Sequence, residues 1–211
     1  MIIMYQEIFL ILIIITVIYF MVLNDSRIEW EAFNGKKYKI KNDNKELNQI
    51  KADFLARIDI KARKIVKHMK DNNLPTKEIA SRTHNRFKNS NIGETPQGEK
   101  SGAAFTINKG DIYICCITKG KLNDENDTFF VCLHELAHVM SNSYGHGEEF
   151  KTNFNFIVKL AVKLGLWKDP KYEEKPVDYC GVQVTTSPCS GDLCNKNSLD
   201  YYFKESLLDY K

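Results

Sequence analysis

Apolar residues are spaced along this chain in three different ways, and each spacing predicts a different element. Residues 1–23 are almost wholly apolar, densest at Ile8-Phe9-Leu10-Ile11-Leu12-Ile13-Ile14-Ile15. A helix of about 22 such residues rises roughly 33 Å, against a bilayer core of about 30 Å. The stretch therefore predicts a transmembrane anchor. Neither a basic leader nor a small-residue cleavage site precedes Asn24, which argues against removal as a signal peptide. Residues 24–45 are polar and lysine-rich and read as a juxtamembrane linker, with Lys36, Lys37, Lys39 and Lys41 able to meet anionic head groups.

Helical spacing begins next. Leu47, Ile50, Phe54, Ile58, Ile65 and Met69 recur on one face, predicting a long amphipathic helix over 45–71. Asp71-Asn72-Asn73 supplies its stop and Pro75 bars continuation. Residues 88–102, rich in Asn, Ser, Gly and Lys, read as an exposed loop. The short β-rich runs 104–107 and 112–117 flank Asn108-Lys109-Gly110-Asp111, which is turn chemistry, so a hairpin is expected. A helix is expected from Thr128, with Asp127 as its N-cap. After a turn over 141–147, a second runs from 148 to 164 with Phe150, Phe154, Ile157, Val158 and Ala161 inward. Residues 175–211 read as irregular, ending in a short helix from about 199 to 210. Length and composition allow one domain with appendages, the last of them an irregular, cysteine-containing tail over 182–211.

Charge refines the picture in two places. The net charge of +3 is too slight to argue for nucleic acid. No Lys or Arg precedes the apolar span, whereas Arg27 and the four lysines follow it, so the positive-inside rule puts the C-terminal domain on the cytosolic side of a single-pass membrane protein. Cys115, Cys116 and Cys132 fall near the middle, and Cys180, Cys189 and Cys194 in the tail, in no strong zinc spacing. Free thiols agree with a cytosolic domain, and tail disulfides are compatible with the spacing too.

The chemistry concentrates at His134-Glu135-Leu136-Ala137-His138, followed by Gly145-His146-Gly147-Glu148-Glu149-Phe150. On a helix His134 and His138 lie one above the other, about 6 Å apart, close enough to share one metal at about 2.0–2.1 Å per bond. Glu135, one step round, reaches a water on that metal without being a ligand. His146, Glu148 and Glu149 are the candidates for a third ligand. A helix continuing past His138 would carry His146 roughly 12 Å away, so the chain must turn, and Asn142-Ser143-Tyr144-Gly145 has the residues to do so. His146 is favoured, because glutamates opening a helix suit its N-terminal dipole for reasons unrelated to metal. His68 and His84 have no partner spacing and read as ordinary surface residues.

His134-Glu135-x-x-His138 with a later His146-Gly147-x-x-Phe150 resembles the zincin metallopeptidases of the WLM and SprT-like groups. The stretch from Thr106-Ile107-Asn108-Lys109-Gly110 to Lys175-Pro176-Val177-Asp178-Tyr179-Cys180-Gly181 is similar to small WLM-type proteins of large DNA viruses. The resemblance covers roughly residues 46–181. It implies a zincin-like α+β metallopeptidase domain over 46–181, with a small antiparallel sheet packed on the active-site helix, and a strand before that helix that pairs with extended substrate. It implies one catalytic Zn²⁺ on His134, His138 and His146. The His138–His146 gap is longer than the WLM pattern has and closer to SprT-like proteins.

The resulting expectation is a membrane-anchored zinc metallopeptidase acting on protein or peptide, with Glu135 as general base. The rival expectation is a catalytically inactive, zinc-stabilised membrane or virion structural protein, its metal closed by a fourth ligand such as Cys115, Cys116 or Cys132.

Overall fold

The computed structural model describes residues 7, 9–14, 16, 25, 27–96 and 102–205. Two strands, β1 (Arg27–Glu31) and β2 (Lys37–Lys41), form an antiparallel hairpin with Ile28 opposite Ile40 and Trp30 opposite Tyr38. The lysine run expected to be a linker is thus part of the sheet. Its alternation explains why: Tyr38 and Ile40 turn inward and are buried, while Lys37, Lys39 and Lys41 take the other face. A charge run with period two is a strand whose buried side is easily overlooked.

Helix α1 (Lys45–Asn72) follows, as its periodicity predicts. Asn44 caps it by accepting the Leu47 amide at 2.9 Å, and Asn73 ends it in the left-handed conformation. Helix α2 (Lys77–Phe87) leads to β3 (Ile92–Glu94), a buried three-residue strand inside the segment expected to be an exposed loop. β3 is short and holds a Gly and a Glu, so no hydrophobic alternation marks it. Glu94 is buried because Lys51 of α1, itself fully buried, meets it at 2.8 Å.

The expected hairpin is present as β4 (Ala104–Ile107) and β5 (Asp111–Ile114), turned through Asn108 and Lys109, both at positive φ. The five strands run in the order β1-β2-β3-β5-β4, with β2, β3 and β5 mutually parallel and both outer pairs antiparallel. The sheet is therefore mixed, not the small antiparallel sheet expected. The long α1–α2 crossover returns the chain in the direction of β2, and β4 then folds outward to become the edge.

After the ribbon β6 (Ile117–Thr118) and β7 (Lys121–Leu122) comes α3 (Glu125–Met140), then α4 (Glu148–Lys163). α3 begins one turn before Thr128: Asp124, not Asp127, is the cap, accepting the amides of Asn126 and Asp127 at 2.8 and 3.1 Å. Asp127 instead accepts the Tyr172 hydroxyl at 2.8 Å. α3 lies at the centre, against α1, α2, α4, β4 and β5.

The region expected to be an irregular tail is more ordered than its composition suggests. β8 (Val177–Tyr179) and β9 (Val182–Val184) form a hairpin, so a boundary at 181 would cut it. Disulfides join Cys115 to Cys180 and Cys189 to Cys194, while Cys116 and Cys132 are free and buried. The last helix, α5 (Lys196–Glu205), begins three residues before its expected start, and the remainder of that expectation falls on residues outside those described.

Among the described residues no helix is long and apolar enough to cross a membrane. Of residues 1–23, only 7, 9–14 and 16 are described, and these are helical. The rest of that expected anchor lies outside the described residues. The expectation of a single-pass anchor over 1–23, and the membrane location and cytosolic orientation drawn from it, does not stand.

Candidate metal centre

Three imidazoles come together on the exposed side of α3. His134 and His138 project from successive turns, and His146 returns to them from the loop between α3 and α4. Nε2 of His134 and Nε2 of His146 are 3.0 Å apart, and one ring nitrogen from each of the three residues lies within 4.8 Å of the others. Bonds of about 2.0–2.1 Å to a tetrahedral zinc place donors roughly 3.3 Å apart. The set needs only small side-chain adjustments to meet that geometry. Burial, followed by the neighbouring imidazoles, lowers the pKa of His134 to about 4; burial, then His146 and Lys109, does the same for His138. Both rings are therefore neutral at pH 7, the protonation state that ligates a metal.

The apolar floor beneath the rings comes from α4. The Phe150 ring sits 4.8, 4.3 and 4.7 Å from those of His134, His138 and His146, and Phe154 lies 5.3 Å from His134. Phe150 is the residue that the sequence pattern places three after Gly147.

Glu135 borders the same cleft as the rings and is bonded to the edge strand β4. Its Oε2 accepts the Thr106 hydroxyl at 2.6 Å, and burial pushes its pKa up to about 7 against the lowering effect of that hydrogen bond. A cleft of about 320 Å³ runs between β4 and α3, bounded by Thr106, Lys109, Glu135, Tyr144 and the three histidines. β4 is the outermost strand of its sheet, and among the described residues its outer side has no strand partner.

The loop that delivers His146 is held from three directions. Arg82 of α2 donates to the Met140 carbonyl at 3.0 and 2.9 Å, and Arg86 donates to the carbonyls of Val139 and Ser141 at 2.8 and 2.9 Å. These bonds satisfy carbonyls at the end of α3 where the chain must leave its helix. Glu149 accepts the amides of Asn142 and Ser143, each at 2.8 Å, and the Ser143 hydroxyl at 2.7 Å. Lys109, from the β4–β5 turn, donates to the Ser143 carbonyl and stands over the Tyr144 ring. Gly145 completes the turn at φ 77°, a left-handed conformation that a side chain disfavours.

The structure therefore brings together His134, His138 and His146, with Glu135 beside them. Glu148 is exposed and pairs with Lys151, and Glu149 serves the loop, so neither joins the nitrogens. Among the described residues no cysteine belongs to the cluster: Cys115 is in a disulfide, and His68 and His84 lie elsewhere on α1 and α2. Sequence reading missed Thr106, Arg82, Arg86 and Lys109. Only the i, i+4 spacing of the two arginines on one helix face hinted at a shared target.

No family model matches the chain. It is 36% identical over 105 residues to an uncharacterized protein of Acanthamoeba polyphaga mimivirus, a match spanning 48% of this chain and 52% of that protein. It is also 36% identical over 98 residues to an uncharacterized protein of Invertebrate iridescent virus 6, covering 44% of this chain and 54% of the relative. The chain thus spans about half the length of the curated relatives it matches. No solved structure matches it.

Proposed function

We propose that this protein is a zinc-dependent metallopeptidase of the zincin type, similar to the WLM and SprT-like groups, acting on extended peptide. The observation that carries the reading is the convergence of three ring nitrogens within 4.8 Å beside a carboxylate that is not one of them. A site built only to hold metal has no use for such a carboxylate.

The donor set suits zinc: three imidazoles converge at the border of one cleft, leaving room for a further ligand. When bound there, zinc supplies Lewis acidity that polarises the scissile carbonyl and lowers the pKa of the attacking water. The chain's own residues do the remaining work. Glu135 accepts the proton of that water and passes it to the leaving amine. Thr106 fixes the carboxylate rotamer so that one oxygen stays aimed at the cleft. The free side of β4 offers backbone groups to an extended substrate, the usual mode of strand addition.

The rival reading, a zinc-stabilised structural protein without turnover, expects a fourth protein ligand. Among the described residues the cluster holds three. The test is to load the purified chain with zinc, expose it to an unfolded protein and a peptide library, and compare Glu135→Gln. Chelator-sensitive cleavage lost in the variant is expected; equal inactivity of both proteins on every substrate would reject a peptidase.

A further inference from the structure

Helices α1 and α2 enclose a groove of about 610 Å³, and none of the residues lining it borders the metal-site cleft. Ile60, Lys64 and Lys67 follow one another at i, i+4 and i+7 along α1, a single helix face. Lys88, the residue after α2, lines the groove as well. Ile60 keeps 47% of its surface exposed, and the stems of the lysines extend that apolar strip beneath their ammonium groups. The floor is fixed. Arg63 stands 5.0 Å over the buried Phe87 ring, pairs with Asp59 at 2.9 Å and donates to the Ser90 carbonyl at 2.8 Å.

The chain as a whole is nearly balanced, with 30 Lys and Arg against 27 Asp and Glu. The groove is not. Arg63, Lys64, Lys67, Lys70 and Lys88 line it against a single carboxylate, that of Asp71. Among the described residues no ion pair holds Lys64 or Lys88, and the Lys67–Asp71 pair is exposed and exchanges partners at little cost. A concave surface of one sign concentrates anionic groups from solvent. Its walls are helices whose interior backbone groups already bond to each other, so an extended strand finds no ladder to join. A helical guest brings its own backbone bonds and needs only side-chain contacts. From Ile60 to Asp71 the α1 wall rises about 16 Å, or three turns.

We propose that this groove docks an acidic amphipathic helix of a partner protein, its carboxylates set against Lys64, Lys67 and Lys88 and one bulky apolar side chain covering Ile60. The apolar contact separates this guest from a nucleic acid, whose phosphates would use the ammonium groups alone. Docking here needs neither zinc nor turnover, so its test stands apart from that of the peptidase reading.

The full chain is screened against a displayed library of helical peptides of about fifteen residues, roughly four turns, with acidic residues fixed on one face and the positions between them randomised. Lys64→Glu/Lys88→Glu is the counter-selection. These side chains and Ile60 are exposed, so the variants should melt with the wild type, and Lys64→Gln/Lys88→Gln is the milder substitute if they do not. Enriched peptides should carry Leu, Ile or Phe at one fixed position. Fluorescence anisotropy should show binding at least about tenfold weaker to the double variant and about fivefold weaker to Ile60→Ser. No peptide enriched on wild type over the double variant overturns the proposal. So does enrichment of acidic peptides with no apolar position, bound equally by Ile60→Ser. Single-stranded DNA and phosphatidylserine vesicles are titrated alongside. Tighter binding to either, lost in the double variant and indifferent to Ile60→Ser, assigns the groove to that ligand and overturns the helix.

Discussion

Thr106 and Glu135, twenty-nine residues apart in sequence, are joined by a hydrogen bond of 2.6 Å that ties the edge strand to the active helix. It links the strand along which substrate would lie to the group that would take the proton of the attacking water. Thr106→Val keeps the shape and removes the donor. Hydrogen bonds to charged groups contribute about 1.5–3 kcal/mol, and about 1.4 kcal/mol is a factor of ten. Steady-state kinetics should show kcat down by about tenfold or more, with zinc content by metal analysis unchanged.

His146 is the proposed third ligand, favoured over Glu148 and Glu149 in the sequence. His146→Ala should lower zinc affinity by more than about a hundredfold, since loss of outer-shell partners alone costs about 10–100-fold. Glu148→Ala should leave it within about threefold, its carboxylate being exposed and paired only with Lys151. Competition with a fluorescent zinc chelator reads both.

Glu149 occupies a middle position. Its bonds to Asn142 and Ser143 hold the turn that aims His146, so Glu149→Gln should cost about tenfold in zinc affinity without altering stoichiometry. Slight burial raises its pKa, but those bonds and the Arg82 charge outweigh this and hold the carboxyl at about 2, below its ordinary 4.5. A depressed carboxylate stabilises the fold fully above its unfolded value, and the contribution is lost as pH falls through the folded one. In metal-free protein, the difference in melting temperature between wild type and Glu149→Gln should be constant above about pH 5 and close between about 4.5 and 2.

Lys51 tests the frame on which the site stands. Its ammonium is fully buried against Glu94, which is also buried, and it donates to the Lys41 carbonyl at 2.6 Å. Lys51→Met leaves the Glu94 charge without its partner, a loss of about 3–5 kcal/mol. At 2–4 °C per kcal/mol for a chain of this size, the melting temperature should fall by roughly 6–20 °C. Scanning calorimetry measures it.

Loss of the Cys115–Cys180 bridge should destabilise the fold. The bridge closes a loop with a sequence separation of 65, for which chain entropy gives about 4 kcal/mol. Urea titration with and without reductant reads the stability.

Much of the site was legible because its information is local. His134, Glu135 and His138 share a helix whose apolar positions name it, and Leu47 to Met69 spell α1 in the same way. The hairpin at Asn108-Lys109 was legible from turn chemistry. What escaped depends on distant partners. β1 and β2 hide in a lysine run because Tyr38 and Ile40 become a buried face only once α1 covers them. β3 has no pattern of its own, since Glu94 is made burial-compatible by Lys51 on another element. Arg82 and Arg86 stand on α2, a helix not expected from the sequence, and they gain a target only when the end of α3 comes within their reach. The apolar stretch at the N-terminus misled in the other direction: hydropathy alone carried the membrane reading, and among the described residues no helix meets that requirement.

All three imidazoles lie between positions 134 and 146, within one helix end and one turn. A partly unfolded chain that keeps this short segment therefore keeps most of its donors. Zinc would then bind the denatured ensemble as well as the native state, and the stabilisation it confers would be smaller than its native-state affinity implies. The proposed catalysis would have no such tolerance, because Thr106 and the free side of β4 reach Glu135 only in the assembled sheet. The metal would thus mark the chain before the fold makes it competent.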